Sequence, residues 1–298
     1  MTIKENLIGI DLGGTKIEVV VLGLNQHVEF RERLPTESKR GPSHIINQIL
    51  SLYKKAASFI DNAPHTIGVG TPGSLSPKTK LLRNSNTLCL NGLPLQQLIE
   101  EALQKKIMLE NDANCFALAE ANMGAGQNHD LVFGVIMGTG CGGGFVFNKK
   151  LRIGPQQIAG EWGHSVINSE GPPSYCGNNG CVETYISGGG LENILKSHGI
   201  LSMTAKDFLN KKHHNDDEKI ILKNFYSNFG IALANIINII DPDIVILGGG
   251  LSNHDGLYDI GIQETYNRIF HESPSTPIVK NKLGDSAGVI GAALIGDI

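Results

Sequence analysis

The sequence predicts an α/β protein in two lobes, and three observations carry that reading. Short β-branched runs alternate with longer segments of helical apolar spacing, the pattern of strands interleaved with helices. A glycine-rich strand–turn–strand unit, Asp11-Leu12-Gly13-Gly14-Thr15-Lys16, is echoed at Gly138-Thr139-Gly140-Cys141-Gly142-Gly143-Gly144, which suggests two related halves. At 298 residues the chain is too long for one small core, and no linker cuts it into independent pieces.

Composition excludes several classes. Apolar residues make up 41% of the chain and charged residues 18%, as in a folded globular protein. A net charge of −4 offers no electrostatic footprint for nucleic acid, so no nucleic-acid partner is expected. No apolar stretch is read as long enough to span a bilayer, and residues 1–6 lack the features of a signal peptide. The expectation is a cytoplasmic protein without a membrane partner. Five cysteines, an odd number, make no disulfide framework. The 37 glycines cluster after strand-like runs, where backbone approaches a ligand.

In chain order, residues 7–10 and 17–22 predict two strands, the second rich in β-branched residues. Residues 11–16 then form a tight hairpin turn. A strand follows it, so it is neither a P-loop nor a Rossmann turn, both of which lead into a helix. Its glycine N–H groups, the Thr15 hydroxyl and the Lys16 ammonium suit phosphate oxygens. Asp11 suits Mg²⁺ held through water, because a hard cation prefers oxygen. An ordinary Gly-Gly hairpin is the alternative. Residues 43–60 place Ile45, Ile49, Leu52, Tyr53, Ala56 and Ile60 at helical spacing. Residues 66–70 predict a strand entering the sharp turn Thr71-Pro72-Gly73. Segment 84–92 is rich in amides, which suit sugar hydroxyls and turns alike.

A helix over 94–104 and a strand over 106–109 lead to Leu109-Glu110-Asn111-Asp112-Ala113-Asn114, which opens a small-residue helix over 113–123. A carboxylate lying between two phosphate loops in the sequence is a candidate base for phosphoryl transfer, and Asp112 is the residue chosen. The alternative is that Asn111 or Asp112 simply caps the helix. Residues 131–137 and 145–147 predict strands flanking the second glycine loop, and Asn148-Lys149-Lys150 closes the next hairpin. Gly160-Glu161-Trp162-Gly163-His164 leads through a Pro- and Gly-rich loop to Cys176, Cys181 and a helix start near Glu183. Segment 204–217, with His213, His214, Asp216 and Asp217, is read as a solvated helix end and loop. Residues 218–240 predict a helix stopped by Asp241-Pro242. A strand over 244–247 enters Gly248-Gly249-Gly250, a helix covers 257–270, and a small-residue helix covers 289–294.

Four features in this order resemble the ROK family of sugar kinases and sugar-responsive repressors. They are the Asp-Leu-Gly-Gly-Thr-Lys turn, Glu110-Asn-Asp-Ala-Asn114, the Gly-Thr-Gly-Cys-Gly-Gly-Gly loop, and Glu161-Trp-Gly-His164 followed by Cys176-Gly-x-x-Gly-Cys181-x-Glu183. The resemblance runs from Gly9 to Gly291. A finer likeness to bacterial fructokinases of the manno(fructo)kinase type rests on Asn84-Ser85-Asn86 before Asn91-Gly92, on Glu183-Thr-Tyr-Ile-Ser-Gly188, and on Gly284-Asp-Ser-Ala-Gly288. N-acetylglucosamine kinases and glucokinases share the main motifs.

The resemblance implies a two-lobed actin/hexokinase-like (ribonuclease H-like) fold with mixed sheets and an interlobe cleft that closes on ATP and a hexose. It implies a small N-terminal lobe of residues 1–115 plus 285–298, a large C-terminal lobe of residues 116–284 with a zinc loop, and a homodimer. The implied reaction is ATP- and Mg²⁺-dependent phosphorylation of a hexose at the 6-hydroxyl, with fructose first and N-acetylglucosamine, glucose or mannose as alternatives. A sugar-sensing repressor is the reading from another class. The first turn begins at Asp11, which leaves no room before it for a DNA-binding domain.

By the same resemblance, Asp112 matches the general base. Gly9, Ile10, Asp11, Leu12, Gly13, Gly14, Thr15 and Lys16 match the first phosphate segment. Gly138, Thr139, Gly140, Cys141, Gly142, Gly143, Gly144 and Phe145 match the second. Gly249 resembles the adenosine-side segment, with a plain strand–helix turn as its alternative. Asn111, Asp112, Glu161, His164 and Glu183 match sugar-contacting positions, with Gly73 and Asn86 as further contacts. His164, Cys176 and Cys181 match three ligands of a structural Zn²⁺, but Ser174 stands where the family has a further cysteine. Zinc completed by water or Ser174, a weakened site, and a loop held by packing alone all remain open.

Overall fold

The structure, a computed structural model, describes residues 5–297. The strands are β1 (Asn6–Leu12), β2 (Lys16–Leu22), β3 (Val28–Pro35), β4 (His65–Thr71), β5 (Ser74–Leu75), β6 (Leu82–Arg83), β7 (Met108–Asn111), β8 (Leu131–Met137), β9 (Cys141–Phe147), β10 (Lys150–Arg152), β11 (Ile244–Gly248) and β12 (Ile278–Lys280). The α-helices are α1 (Pro42–Phe59), α2 (Leu95–Leu103), α3 (Asp112–Met123), α4 (Glu183–Ile186), α5 (Gly188–Ser197), α6 (Ala205–Leu209), α7 (Asp216–Ile240), α8 (Ile260–Tyr266) and α9 (Ala287–Ile295). They fall into two compact units. Unit 1 takes the described residues up to Gly124, Lys149–Ala159, and those from Leu283 onward; unit 2 takes Ala125–Asn148 and Gly160–Lys282.

Unit 1 is built on a mixed sheet of order β3-β2-β1-β4-β7. β1 runs antiparallel to β2 and parallel to β4, and β4 runs parallel to β7. Ile8, Ile10, Ile17, Val19 and Val21 form a buried core with Ile45, Ile49 and Leu52 of α1 and Ile99 of α2. α3 belongs wholly to this unit because α9 packs on it: a Cβ at Gly291 would collide with the Cys115 backbone. Lys149 ties the segment around β10 to α3, its Nζ donating to the Ala121 carbonyl at 2.8 Å.

In unit 2, β9 runs antiparallel to β8, while β8–β11 and β11–β12 are parallel, giving the order β9-β8-β11-β12. The echo of the two glycine turns thus extends to sheet topology, since β2-β1-β4-β7 has the same pairings. Phe133, Val135, Val245 and Leu247 of the sheet pack with Phe225, Phe229 and Leu233 of α7.

Several elements depart from the sequence reading. β3 is an edge strand whose charges at Glu29, Arg31, Glu32 and Arg33 hid its apolar alternation, as edge strands carry charge against mispairing. Segment 204–217 is not only loop: Thr204 caps the short helix α6 by accepting from Asp207 N. Asn215 and Glu218 then form a capping box that starts α7 at Asp216. The helix expected over 257–270 is confined to α8, preceded by a 3₁₀ turn. The expectation that no stretch reaches membrane-spanning length is also corrected. α7 has 25 residues and an apolar 18-residue window, half of it buried inside unit 2, where it serves as a core helix.

Candidate functional site

Unit 1 gathers one set of the expected site residues. Asn111 ends β7 and caps α3: its Oδ1 accepts from Ala113 N at 2.9 Å and its Nδ2 donates to the Gly73 carbonyl at 3.0 Å. The pairing of Thr71 with Asn111 brings Gly73, just past β4, to the cap. Asp112 is the first helical residue, its Oδ1 also 2.9 Å from Ala113 N. The helix dipole favours a carboxylate there.

Asp11 pairs across the sheet with Glu18 on β2 and Gly70 on β4. Burial, then the charges of Asp112 and Glu18, push its pKa up to about 7, while Lys16 and Arg33 pull it down. A carboxyl held near neutrality among other carboxylates is one that a divalent cation would ionise, so the donors fit Mg²⁺. The turn itself is closed by Gly13 N donating to the Lys16 carbonyl at 2.9 Å. Thr36 clamps it from outside: its buried hydroxyl donates to the Gly13 carbonyl at 2.6 Å, and its N–H donates to the Thr15 carbonyl at 2.9 Å. Gly14 and Thr15 are exposed. Gly9, Ile10 and Leu12 lie within β1, with the Ile10 and Leu12 side chains in the core. Only their backbone is left to face a ligand. Asn86 lies over the turn, its Oδ1 3.6 Å from where a Gly14 Cβ would stand. Thr36 and Thr87 escaped the sequence reading. Thr87 has a buried hydroxyl oxygen without a hydrogen-bond partner, 3.9 Å from the same Cβ position. A lone Thr carries no pattern that would have flagged either.

Unit 2 gathers the rest. The second glycine loop is shorter than expected. Only Gly138, Thr139 and Gly140 turn, while Gly142, Gly143 and Gly144 belong to β9 and pair with Ile136, Val135 and Gly134. The bare glycine strand lets Phe133 and Trp162 close over Gly143, whose Cβ would stand 2.9 Å from each ring. Phe145 stacks on Phe133 with ring centroids 4.4 Å apart, so its ring serves the core. Gly138 and Thr139 carbonyls accept from Gly188 and Gly189 N–H at 2.7 and 3.0 Å, tying the turn to the start of α5. Glu183 is brought to the same turn, its Oε2 accepting from Cys141 N at 2.9 Å. Burial and then the Glu183 charge hold the Cys141 thiol well above its ordinary range. Gly249, with φ +81°, packs its Cα against the Met137 backbone, as a close strand–helix turn requires.

Trp162 Nε1 donates to the Gly142 carbonyl at 3.0 Å and fixes the 3₁₀ turn that carries His164. His164 Nε2 is 3.0 Å from the Tyr175 hydroxyl and 3.8 Å from Glu161 Oε2. Its Nδ1 is buried and has no hydrogen-bond partner. The ligand atoms of His164, Cys176 and Cys181 lie within 4.8 Å of one another, and the two sulfurs are 3.6 Å apart. One imidazole and two thiols, with an orphaned ring nitrogen, fit a soft tetrahedral cation. The Ser174 hydroxyl, followed by the Asn178 backbone, holds the Cys176 thiol down to about 6. Burial raises Cys181. Tyr175 also escaped the sequence reading, since an aromatic between two loop residues looks like surface decoration. A pocket of about 380 Å³ opens beside this group, lined among others by Thr139, Tyr175, Glu183, Ser187, Asn193 and Ile194.

Residues 7–297 match the ROK family. The chain is 34% identical over 299 residues to an N-acetyl-D-glucosamine kinase of Pasteurella multocida (strain Pm70), covering 96% of this chain and 98% of the relative. It is 35% identical over 300 residues to an N-acetyl-D-glucosamine kinase of Histophilus somni (strain 129Pt), covering 96% and 97%. Among solved structures it resembles a ROK hexokinase from Thermus thermophilus, with a TM-score of 0.89 and 27% identity over 98% of both chains. It also resembles a ROK family glucokinase from Streptomyces griseus in complex with glucose and AMPPNP, with a TM-score of 0.78 and 26% identity over 98% and 99%.

Proposed function

Because the chain belongs to the ROK family and is a sugar kinase of the hexokinase type, we propose that it transfers the γ-phosphoryl group of ATP to the 6-hydroxyl of a hexose, with Asp112 as general base. One observation carries this reading. Asn111 takes the helix cap and the contact to Gly73, while Asp112 stands as the helix's first-turn carboxylate, in electrostatic reach of Asp11. Asp112 accepts the hydroxyl proton as the sugar oxygen forms its bond to the γ-phosphorus. The bond from that phosphorus to the β-bridging oxygen breaks, and ADP leaves. Mg²⁺, when bound, neutralises charge on the phosphates, and Asp11 is the carboxylate that would hold it.

The remaining assignments follow the same reading. The turns at Gly13–Lys16 and Gly138–Gly140 offer backbone N–H groups to phosphate oxygens, and Gly249 lies on the adenosine side. Asn111, Glu161, His164 and Glu183, with Gly73 and Asn86, address sugar hydroxyls, ionised acceptors making the stronger hydrogen bonds. His164 Nδ1 with the Cys176 and Cys181 sulfurs would hold Zn²⁺, with water or the Ser174 hydroxyl as fourth partner. Such a cation fixes the loop that brings Tyr175 to His164, so chelation should weaken sugar binding as well as stability.

N-acetyl-D-glucosamine leads among the sugars, because it is the sugar named for relatives 34–35% identical to this chain. Fructose is second, on the likeness of segments 84–92, 183–188 and 284–288 to fructokinases of the manno(fructo)kinase type. The experiment is ADP release over fructose, glucose, mannose and the 2-acetamido analogues of the two aldoses, with and without Mg²⁺. Mg²⁺-dependent turnover that is highest on N-acetyl-D-glucosamine is expected. ADP release with none of the sugars would overturn the reading.

A further inference from the structure

The sheet face beside the first glycine turn carries more positive charge than its buried acid needs. The β2–β3 register sets Glu18 opposite Arg33 and Val20 opposite Arg31. Alternate residues of a strand share a face, so Lys16, Glu18, Arg31 and Arg33 project together. Glu18 is fully buried. Its Oε2 accepts from Arg33 Nε at 2.6 Å, its Oε1 accepts from Arg31 Nε, and Lys16 Nζ lies 3.7 Å from Oε2. The three cationic side chains keep 38–40% of their surface exposed, against 1% for the acid they surround.

One carboxylate therefore holds three cations. Among the described hydrogen bonds each guanidinium reaches Glu18 through its Nε–H, and a guanidinium carries four further N–H donors. Paired guanidinium N–H groups recognise phosphate oxygens in bidentate fashion. The cluster also borders Asp11, the carboxylate that would hold the divalent cation. Glu18 pairs with Asp11 across β1–β2, and both Lys16 and Arg33 bear on the Asp11 charge.

We propose that Lys16, Arg31 and Arg33, oriented by Glu18, form an anion subsite for the non-transferred phosphates of a phosphoanhydride chain. It rests on the kinase reading above and assigns two residues, Arg31 and Arg33, that the phosphate turn itself does not contain. The chemistry is shared by a nucleoside triphosphate and by inorganic polyphosphate. Asp11, on the same face, is the carboxylate suited to the divalent cation that accompanies either.

The test titrates the full chain calorimetrically with Mg–ATP and, separately, with Mg–tripolyphosphate, for wild type and Arg33→Gln. Arg31 and Lys16 remain on Glu18 in that variant, and Arg33→Lys restores charge without the fork. Losing a charged hydrogen bond should weaken binding by about tenfold, with partial recovery in Arg33→Lys and the hexose KM within about twofold. Weakening of both ligands identifies the phosphate chain alone as what is bound; weakening of ATP alone assigns the subsite to the nucleotide. Equal affinity of wild type and Arg33→Gln for both ligands would overturn the proposal. Binding is read without turnover, so failure to phosphorylate any sugar would count against the kinase reading and leave this measurement standing.

Discussion

The turn at Gly13–Lys16 is clamped by a side chain and ringed by charge, whereas the turn at Gly138–Gly140 is clamped by backbone and meets charge through Glu183. Each closes an antiparallel hairpin whose first strand also pairs with a parallel neighbour. The difference lies in what surrounds them. Thr36, Asp11, Glu18 and Arg33 make the first turn a place where charge is tuned. Gly188 and Gly189 make the second an N–H and carbonyl scaffold whose position is set by helix α5. The same hairpin architecture thus surrounds one turn with charged side chains and the other with backbone hydrogen bonds.

Changes that touch one turn and not the other sharpen this contrast. The largest expected effect is at Asp11. Its folded-state pKa of about 7 lies above its ordinary 3.8, so the folded protein keeps a proton that the unfolded chain releases between those values. Stability from this group is fully present below about pH 4 and is lost as pH rises through about 7. Asp11→Asn does not titrate, so in Mg²⁺-free buffer it should exceed wild type in stability by up to roughly 4 kcal/mol at pH 8. The gain should vanish near pH 4, as denaturant melts at both pH values would read, and turnover should be lost. No comparable pH-dependent gain is expected from substitutions in the second turn.

Next come the glycines. A Cβ on Gly140 would stand 2.7 Å from Glu183 Oε2, whereas one on Gly14 would come no closer than 3.6 Å to Asn86 Oδ1. Gly140→Ala should keep its fold, because a flexible carboxylate can swing away, but raise the sugar KM about tenfold. Gly14→Ala should change it by less than about twofold. Steady-state kinetics on the two variants decide the point. The smallest effect belongs to the loop beside the second turn. Tyr175→Phe removes the hydroxyl that holds His164 Nε2 and should raise the sugar KM about threefold, leaving kcat nearly unchanged. Ser174→Cys should retain more zinc through gel filtration, as elemental analysis would show.

The architecture was legible because periodicity and glycine punctuation are local signals. Both hairpins, the cap at Asn111 and the cysteine pair are written within a few residues of chain. What escaped depends on register. β3 was hidden by its charges, and with it the grip of Arg31 and Arg33 on Glu18. Thr36 acts on a turn 23 residues earlier. The glycines after Cys141 looked like loop, yet they form a strand because Phe133 and Trp162 need the space a side chain would fill. No local pattern distinguishes a glycine kept for a ligand from one kept for a ring.

The proposed phosphoryl transfer turns on Asp112, and single-turnover transfer from labelled ATP tests that role most directly. With both substrates saturating, Asp112→Asn should slow the chemical step by at least roughly 10²-fold, while ATP and sugar affinities and the melting temperature stay close to wild type. A variant that transfers phosphate within about threefold of the wild-type rate would contradict the assignment of Asp112 as the base.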